Sequence, residues 1–458
     1  MNGTLAADVV VIGGGLAGHC AALEAAESGA DVLLLEKQPE IGGSTVLSGG
    51  SFAFAGTDMQ RAAGIEDSPD LLYGDLRAVG QEHNDPALVR LYADRQLDAY
   101  AWLRARDVRF GPIQISSGQS VPRLHPSNPR EVIRLLHLLV RHAPNIRVLF
   151  NAPARRLERG AGGSVDAVLV SVDGRAETVR ARRGVVLGSG GFSRNPELIE
   201  TFVPEQRRAG RIGGPGNMGD GLRMAWRLGA GFRDMGYVKG TFGNHPDAGP
   251  EQHTAMLGVY KGAIALNRLG QRFVNEALSY KTLGDACLRQ PDGLAFQILD
   301  QAIMDQSVDG VPIFDFERRL REGLLLRADT LVALAGRIGV DPAVMIATIE
   351  DYNATVAAGR PDPFGRTGLS LGYGALPRIE RAPFYAYPST SAIVATYCGL
   401  TVDTSMRVLD VEGAAIPGLY AAGEVTGGFH GSAYMTGTSL GKSVICGRLA
   451  GRRASAVP

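Results

Sequence analysis

Asp8-Val-Val-Val-Ile-Gly-Gly-Gly-Leu-Ala-Gly18 is the stretch whose reading decides the fold. The β-branched run Val9 to Ile12 has the composition and length of a strand buried on both faces. It ends at Gly13-x-Gly15-x-x-Gly18, and a helix-favouring, Ala-rich segment follows from His19 to Ser28. A second apolar run, Asp31 to Leu35, closes on Glu36. This is a βαβ unit of about 30 residues with its acid about 20 positions past the glycines. Gly13 allows the tight turn, Gly15 lets a pyrophosphate approach the backbone, and Gly18 lets the helix pack on the strand. Leu16 and Ala17, just ahead of that helix, are expected to contact the cofactor, whose phosphates the free N–H groups at the helix start attract. Glu36, followed by Lys37, is placed to accept hydrogen bonds from a ribose diol. Among 61 glycines a lone GxGxxG is weak evidence. Here strand, helix, second strand and acid fall in register, so the expectation is a dinucleotide site rather than a structural glycine turn.

At 458 residues the chain suggests two domains. Its 45% hydrophobic and 21% charged content is that of an ordinary globular protein. Lys plus Arg and Asp plus Glu are both 47, so nothing in the net charge points to nucleic acid or an anionic membrane. Cys20, Cys287, Cys398 and Cys446 lie far apart, with no metal-ligand or haem-attachment spacing, which reads as buried free thiols and no metal site. No window reaches the length of a membrane span and no export signal is visible, so a cytoplasmic location is expected.

Beyond Glu36, the loop through Gly43, Ser44, Thr45, Ser48, Gly49 and Gly50 offers backbone N–H groups and short hydroxyls to a pyrophosphate and its attached chain. Residues 68–106 read helical, with Asp85-Pro86 as cap and first-turn proline. A helix is expected over 130–142, then a strand at 147–150 and an alternating meander over 166–182 turned by Asp173-Gly174. A buried strand from Gly184 ends in a glycine-rich segment that includes Gly190; it lacks the rest of a second dinucleotide fingerprint, so no NAD(P)H domain is expected. Gly219-Asp220-Gly221 opens another helix. From about 236 to 368 the βαβ rhythm disappears and the segment reads as an inserted α+β domain. The organisation expected is therefore α/β, with a discontinuous Rossmann-like domain at 1–235 and 369–458 around an insert at 236–368. The last helix, from about Ser439 and Leu440 to Gly451, starts in a Thr/Ser/Gly cluster and carries its cations at the end, as a helix dipole prefers.

These motifs, with Gly270-Gln-Arg-Phe-Val-Asn-Glu276 and Gly418-Leu-Tyr-Ala-Ala-Gly423-Glu424-Val-Thr-Gly-Gly-Phe-His430-Gly431, resemble the fumarate reductase/succinate dehydrogenase flavoprotein superfamily, which includes the 3-ketosteroid dehydrogenases. The resemblance runs from Asp8 to Gly451. It implies FAD, with Asp220, Gly423 and Glu424 among its contacts, and a capping domain inserted into the FAD domain. In the membrane-complex branch a histidine in the loop after the second strand carries FAD covalently. Here that loop reads Gly43-Ser44-Thr45, so the resemblance implies non-covalent FAD.

The departures from the pattern bear on chemistry. Fumarate-reducing members carry an arginine proton donor four residues after the motif glutamate; here Tyr280 stands there. They clamp a substrate carboxylate with an arginine three residues after the His-Gly pair; here that is Tyr434. A histidine preceding a Thr-x-Gly-Gly-like strand start is replaced by Ala395, ahead of Thr396-Tyr397-Cys398-Gly399. The histidine of a His-Pro pair is matched by His245-Pro246. Only arginine supplies bidentate carboxylate binding well, whereas two phenols suit a neutral carbonyl oxygen. The pattern resembles that of 3-ketosteroid dehydrogenases, in which one tyrosine removes the proton α to a ketone and another holds the ketone oxygen.

The resulting expectation is an FAD-dependent dehydrogenase that introduces a C=C bond beside the carbonyl of a small neutral ketone, cyclic or steroid-like. Electrons would pass to a quinone, a dye-like carrier or oxygen. Tyr434, with backbone N–H groups near Gly437 and Thr438, would hold the ketone oxygen. Tyr280 would take the α proton, its acidity raised by Lys281, Lys261, His245 or Lys442. Tyr397 and His245 are further catalytic candidates, while His430 and Glu424 are read as flavin contacts or loop supports and His125 as a loop residue. Two alternatives stand beside this: a fumarate-reductase-like ene-reductase of an unsaturated carboxylic acid, and a flavin subunit that only transfers electrons.

Overall fold

In the computed structural model the chain is described over residues 5–249, 252, 254–370 and 374–456. It divides into two compact units: residues 1–203, 213–238 and 395–458 form one, and 204–212 with 239–394 the other.

The first unit is built on the strand Leu5–Ile12, whose residues Val9 to Val11 have no exposed surface. It pairs in parallel with Val32–Leu35, which pairs with Ile146–Leu149. On its other side lies the strand Arg175–Leu187, followed by Ala415–Ala421 and Arg407–Leu409. Arg175–Leu187 is one continuous strand with two duties. Its first half pairs antiparallel with Val165–Val172, in the alternating meander, and its fully buried end joins the parallel sheet. Helix Leu16–Glu27 crosses the sheet and packs on the last helix, Thr438–Ser455. A Cβ on Gly447 would lie 2.5 Å from the Ala17 carbonyl oxygen, and one on Gly451 2.2 Å from that of Ala21. The two helices therefore touch backbone to backbone, as only glycine permits. Helices Pro69–Val79 and Pro86–Arg104 begin where expected, each with proline in its first turn and a capping Ser68 or Asp85.

The second unit has a sheet ordered Val238–Asn244, Phe384–Thr396, Ala295–Leu299 and Ile264–Asn267. The strand Leu326–Ala328 pairs antiparallel with Phe384–Thr396, and Gly210–Arg211 pairs with it in parallel. These pairings move the boundaries expected from composition. The second unit does not end near Gly368 but runs to Val394, because residues 384–394 are hydrogen-bonded into its sheet. It also takes in Pro204–Ile212, which the sequence placed in the first domain. Composition marks where a rhythm changes, whereas a domain boundary follows strand pairing. Among the described residues no helix is long and apolar enough to cross a membrane, and no cluster of His, Cys, Asp and Glu could hold a metal ion.

Candidate active site

The nucleotide cradle starts at the end of the first strand. A Cβ on Gly18 would fall 1.8 Å from the Gly13 carbonyl oxygen, and one on Gly13 would fall 2.3 Å from that of Gly188. Those two glycines are demanded by the protein's own packing. Gly15, Gly43 and Gly49 are not: around them a Cβ would meet nothing closer than 3.9 Å. Glycine where the protein itself leaves space is what close approach of a bound group requires. The Glu36 carboxylate accepts the Gly14 N–H at 2.6 Å and the Gln38 N–H at 2.7 Å, which aims it at the glycine turn. Thr45 accepts the Leu16 N–H at 3.2 Å, so the hydroxyl loop closes onto the start of the helix. Ser48 donates to the Thr45 carbonyl and accepts from Gly50 N–H, which fixes the curl of that loop. Lys37 pairs with Asp220, tying the second strand to helix Asp220–Trp226.

A buried polar knot lies beside this cradle. Glu424 accepts from Ser44 Oγ at 3.2 Å, from Asn217 Nδ2 at 3.1 Å and from the Thr396 N–H at 3.0 Å. Burial pushes its carboxyl above the usual range, against the pull of those donors and of Lys442. Asn217 also donates to Ser44 and sits against Gly190, where a Cβ would be 2.3 Å from its amide oxygen. Asn217 was not singled out in the sequence. Its one signal there is its place in Gly213-Gly-Pro-Gly-Asn217-Met-Gly-Asp-Gly221, immediately before the Asp220 helix. Gly423 packs on Ala17, and the last helix begins after Gly437, so Ser439 and Leu440 fall in its first turn.

Tyr397, His430 and Tyr434 come together in the first unit. The Tyr397 and Tyr434 rings stack 5.6 Å apart at 13°, and His430 lies 5.0 Å from one and 5.4 Å from the other. Phe429 meets His430 edge-on at 4.8 Å, with Tyr92 behind it at 5.1 Å. Gly437 N–H donates to the Tyr434 hydroxyl oxygen at 3.2 Å, so that oxygen is an acceptor here and is fixed by the backbone. The turn carrying Tyr434 is held by the loop before Ser120: Thr436 N–H donates to the Ser117 carbonyl and Gln119 donates to the Thr436 carbonyl. Lys442, fully inside the last helix's packing, donates to the Thr426 carbonyl at 2.7 Å, and burial pulls its pKa down.

The other two candidates belong to the second unit. Tyr280 opens helix Tyr280–Leu288, which Ser279 caps by accepting the Thr282 N–H. Tyr260 steadies that start, accepting the Tyr280 N–H and donating to the Leu278 carbonyl. Upstream, Glu276 is buried between Arg272 and Arg366 and accepts the Ala265 N–H. The Arg and Glu of the Arg-Phe-Val-Asn-Glu motif therefore brace the turn that presents Tyr280. Of the cations weighed beside Tyr280, Lys281 pairs with Asp285 at 2.6 Å and Lys261 lies over the Phe314 ring. His245 accepts the Asp247 N–H at Nδ1, meets Tyr387 edge-on at 5.6 Å, and is held below its ordinary pKa by burial. His125, read as a loop residue, is buried against Thr57 and the Arg123 carbonyl.

A glycine turn with an acid aimed at it and a hydroxyl loop closing onto the helix start define a dinucleotide-binding protein with a separate phenolic corner. The chain matches the FAD binding domain family over residues 8–440 and belongs to that family. It is 32% identical over 455 residues to a cytochrome-type fumarate reductase of Shewanella frigidimarina, covering 98% of this chain and 77% of that protein. It is 31% identical to a urocanate reductase of Eggerthella lenta, covering 98% and 75%. A 3-ketosteroid-Δ4-(5α)-dehydrogenase from Rhodococcus jostii RHA1, solved with 4-androstene-3,17-dione, superposes with a TM-score of 0.80 at 26% identity, covering 100% of this chain and 98% of that one. The protein is thus an FAD-dependent oxidoreductase, and these relatives are named as reductases and a dehydrogenase.

Proposed function

We propose that the protein is a flavin-dependent reductase of a conjugated C=C bond activated by a single carbonyl or carboxylate, rather than by two carboxylates. The observation that carries this is the Tyr434 hydroxyl, fixed by Gly437 N–H within the Tyr397–His430–Tyr434 cluster. The direction rests on the relatives by sequence, which are named reductases of fumarate and of urocanate. They favour reduction over the ketone desaturation expected from the tyrosines alone. Each carboxylate buried without a bidentate partner costs several kcal/mol, so a corner of phenols and an imidazole disfavours a dicarboxylate more than a substrate with one carboxylate or carbonyl.

FAD, held by the glycine turn, Glu36 and the Ser44–Thr45 loop, would supply the hydride chemistry at the β carbon. The chain's own residues handle the rest. Tyr434 donates its phenolic proton as a hydrogen bond to the activating oxygen, where negative charge builds as the double bond is consumed. Tyr280, in the position of the proton donor in the resembling reductases, delivers one proton to the α carbon. One hydride and one proton together saturate the bond.

Desaturation of a ketone is the second reading. It is favoured by the same Tyr434–Gly437 pair and by the likeness to the ketosteroid dehydrogenase. Purified holoprotein assayed anaerobically with reduced methyl viologen distinguishes the two. Oxidation of the dye by acrylate, urocanate or a cyclic enone, with little by fumarate, supports the proposal. No dye oxidation by any of them, with flavin bleaching by saturated cyclic ketones, would replace it with the second reading.

A further inference from the structure

One face of the Tyr280 helix carries a polar cluster that the proposed chemistry has not yet used. Ser391 Oγ and Gln206 Oε1 are buried and lack hydrogen-bond partners. Burying such an oxygen unpaired costs about 1–3 kcal/mol. Both lie around Gly240: a Cβ there would be 3.2 Å from Ser391 Oγ, 3.6 Å from Gln206 Oε1 and 3.9 Å from Asp285 Oδ1. Three oxygens converging on one locality are the partners that a buried water would take. Gln206 Nε2 donates to Asp285 Oδ1 at 2.8 Å, and the other oxygen of Asp285 takes Lys281 Nζ at 2.6 Å. Lys281 and Asp285 are each about a quarter exposed, at 23% and 25%, so this end of the cluster meets solvent. At the inner end, a Cβ on Gly284 would lie 2.7 Å from Ser391 Oγ. Gly284 is one turn after Tyr280, on the same helix face.

We propose that Ser391 and Asp285, joined by one buried water that Gln206 holds in place, carry protons from Lys281 at the surface to Tyr280. The inference rests on the reading of Tyr280 as the group that protonates the α carbon. Each turnover removes one proton from Tyr280, and the phenolate must recover one before the next. The Ser391 hydroxyl passes its proton toward the phenolate and takes one from the water. The water is replenished along Asp285 from the Lys281 ammonium, which exchanges with solvent. Each link breaks one O–H or N–H bond and forms another, with no net oxidation. These are positioning and relay residues, since none is required to touch the substrate.

Two measurements test this. A high-resolution crystal structure of the holoprotein should show a water within hydrogen-bonding distance of both Ser391 Oγ and Gln206 Oε1; an empty or side-chain-filled space would overturn the proposal without any assay. In anaerobic turnover with acrylate or a cyclic enone, Ser391→Ala and Asp285→Asn should each slow the rate about 10- to 100-fold and raise the solvent deuterium isotope effect. Ser391→Thr and Asp285→Glu should recover most of the rate. If Tyr280→Phe is inactive while Ser391→Ala and Asp285→Asn turn over normally, the relay is refuted and Tyr280 keeps its role. If Tyr280→Phe is fully active, both fall.

Discussion

In the nucleotide cradle, the contacts that matter involve at least one backbone atom and residues close in sequence: Gly13 against Gly18, Gly14 N–H on the Glu36 carboxylate, Leu16 N–H on the Thr45 hydroxyl. In the phenolic corner they are between side chains brought from afar, with Tyr397 stacked on Tyr434 and Gln119 bracing Thr436. The cradle is therefore constrained by sterics and the corner by chemistry. A small change in the first should cost the fold and the cofactor. A small change in the second should leave the fold intact and alter the reaction.

The largest effect should come from Gly18→Ala. Its Cβ cannot coexist with the Gly13 carbonyl oxygen, so at least about 3 kcal/mol of stability is lost, and the purified protein should be depleted of FAD by its 450 nm absorbance. Normal FAD content would show that the turn can relax and that the cradle is less rigid than its contacts imply. Tyr434→Phe tests the corner. It should retain FAD and melting temperature yet lower kcat/KM about 100-fold, the scale of losing one donor to a developing oxyanion. A matching loss of stability would make Tyr434 a packing residue.

A pH effect comes next. Burial holds His19 at about 4, below its ordinary 6.5, while its Nδ1 bonds the Gly15 carbonyl. Neutral His19 is favoured only in the folded state, so its contribution is complete above pH 6.5 and is lost as pH falls toward 4. By pH 5 the loss is about 2 kcal/mol. Urea unfolding of wild type and His19→Gln at pH 7.5 and 5.0 should show a smaller pH difference in the variant by that amount; equal differences would remove His19 from the account. The smallest effect should be that of Glu36→Gln, which keeps the shape but gives up one acceptor at the glycine turn. FAD should bind about tenfold more weakly, measured by flavin fluorescence on titration.

The same contrast explains what could be read from the sequence. The βαβ unit, its acid and the Gly- and hydroxyl-rich loop were legible because their contacts lie within about fifty residues and follow the spacing rule of the motif. The caps at Ser68 and Asp85 are equally local. Asn217 was not legible, because its importance comes from reaching Ser44 and Glu424, residues that meet it only in the fold. The end of the second unit was misplaced for a related reason: residues 385–389 belong to it through their pairing with Ala295–Leu299, a contact distant in sequence. Tyr397 and Tyr434 were singled out from positions in a family pattern. Their stacking, and the Gly437 N–H on the phenol oxygen, arise only in the folded chain.

The account turns on which way electrons flow between flavin and carbon. Its most direct test is a single anaerobic turnover: holoprotein reduced with one equivalent of dithionite, mixed with acrylate, urocanate or a cyclic enone, and followed near 450 nm. Return of the oxidised flavin band with formation of the saturated product, slow or absent with fumarate and lost in Tyr280→Phe, is the predicted result. A flavin that stays reduced with every unsaturated compound, in a protein whose oxidised flavin is bleached by saturated ketones, would contradict it.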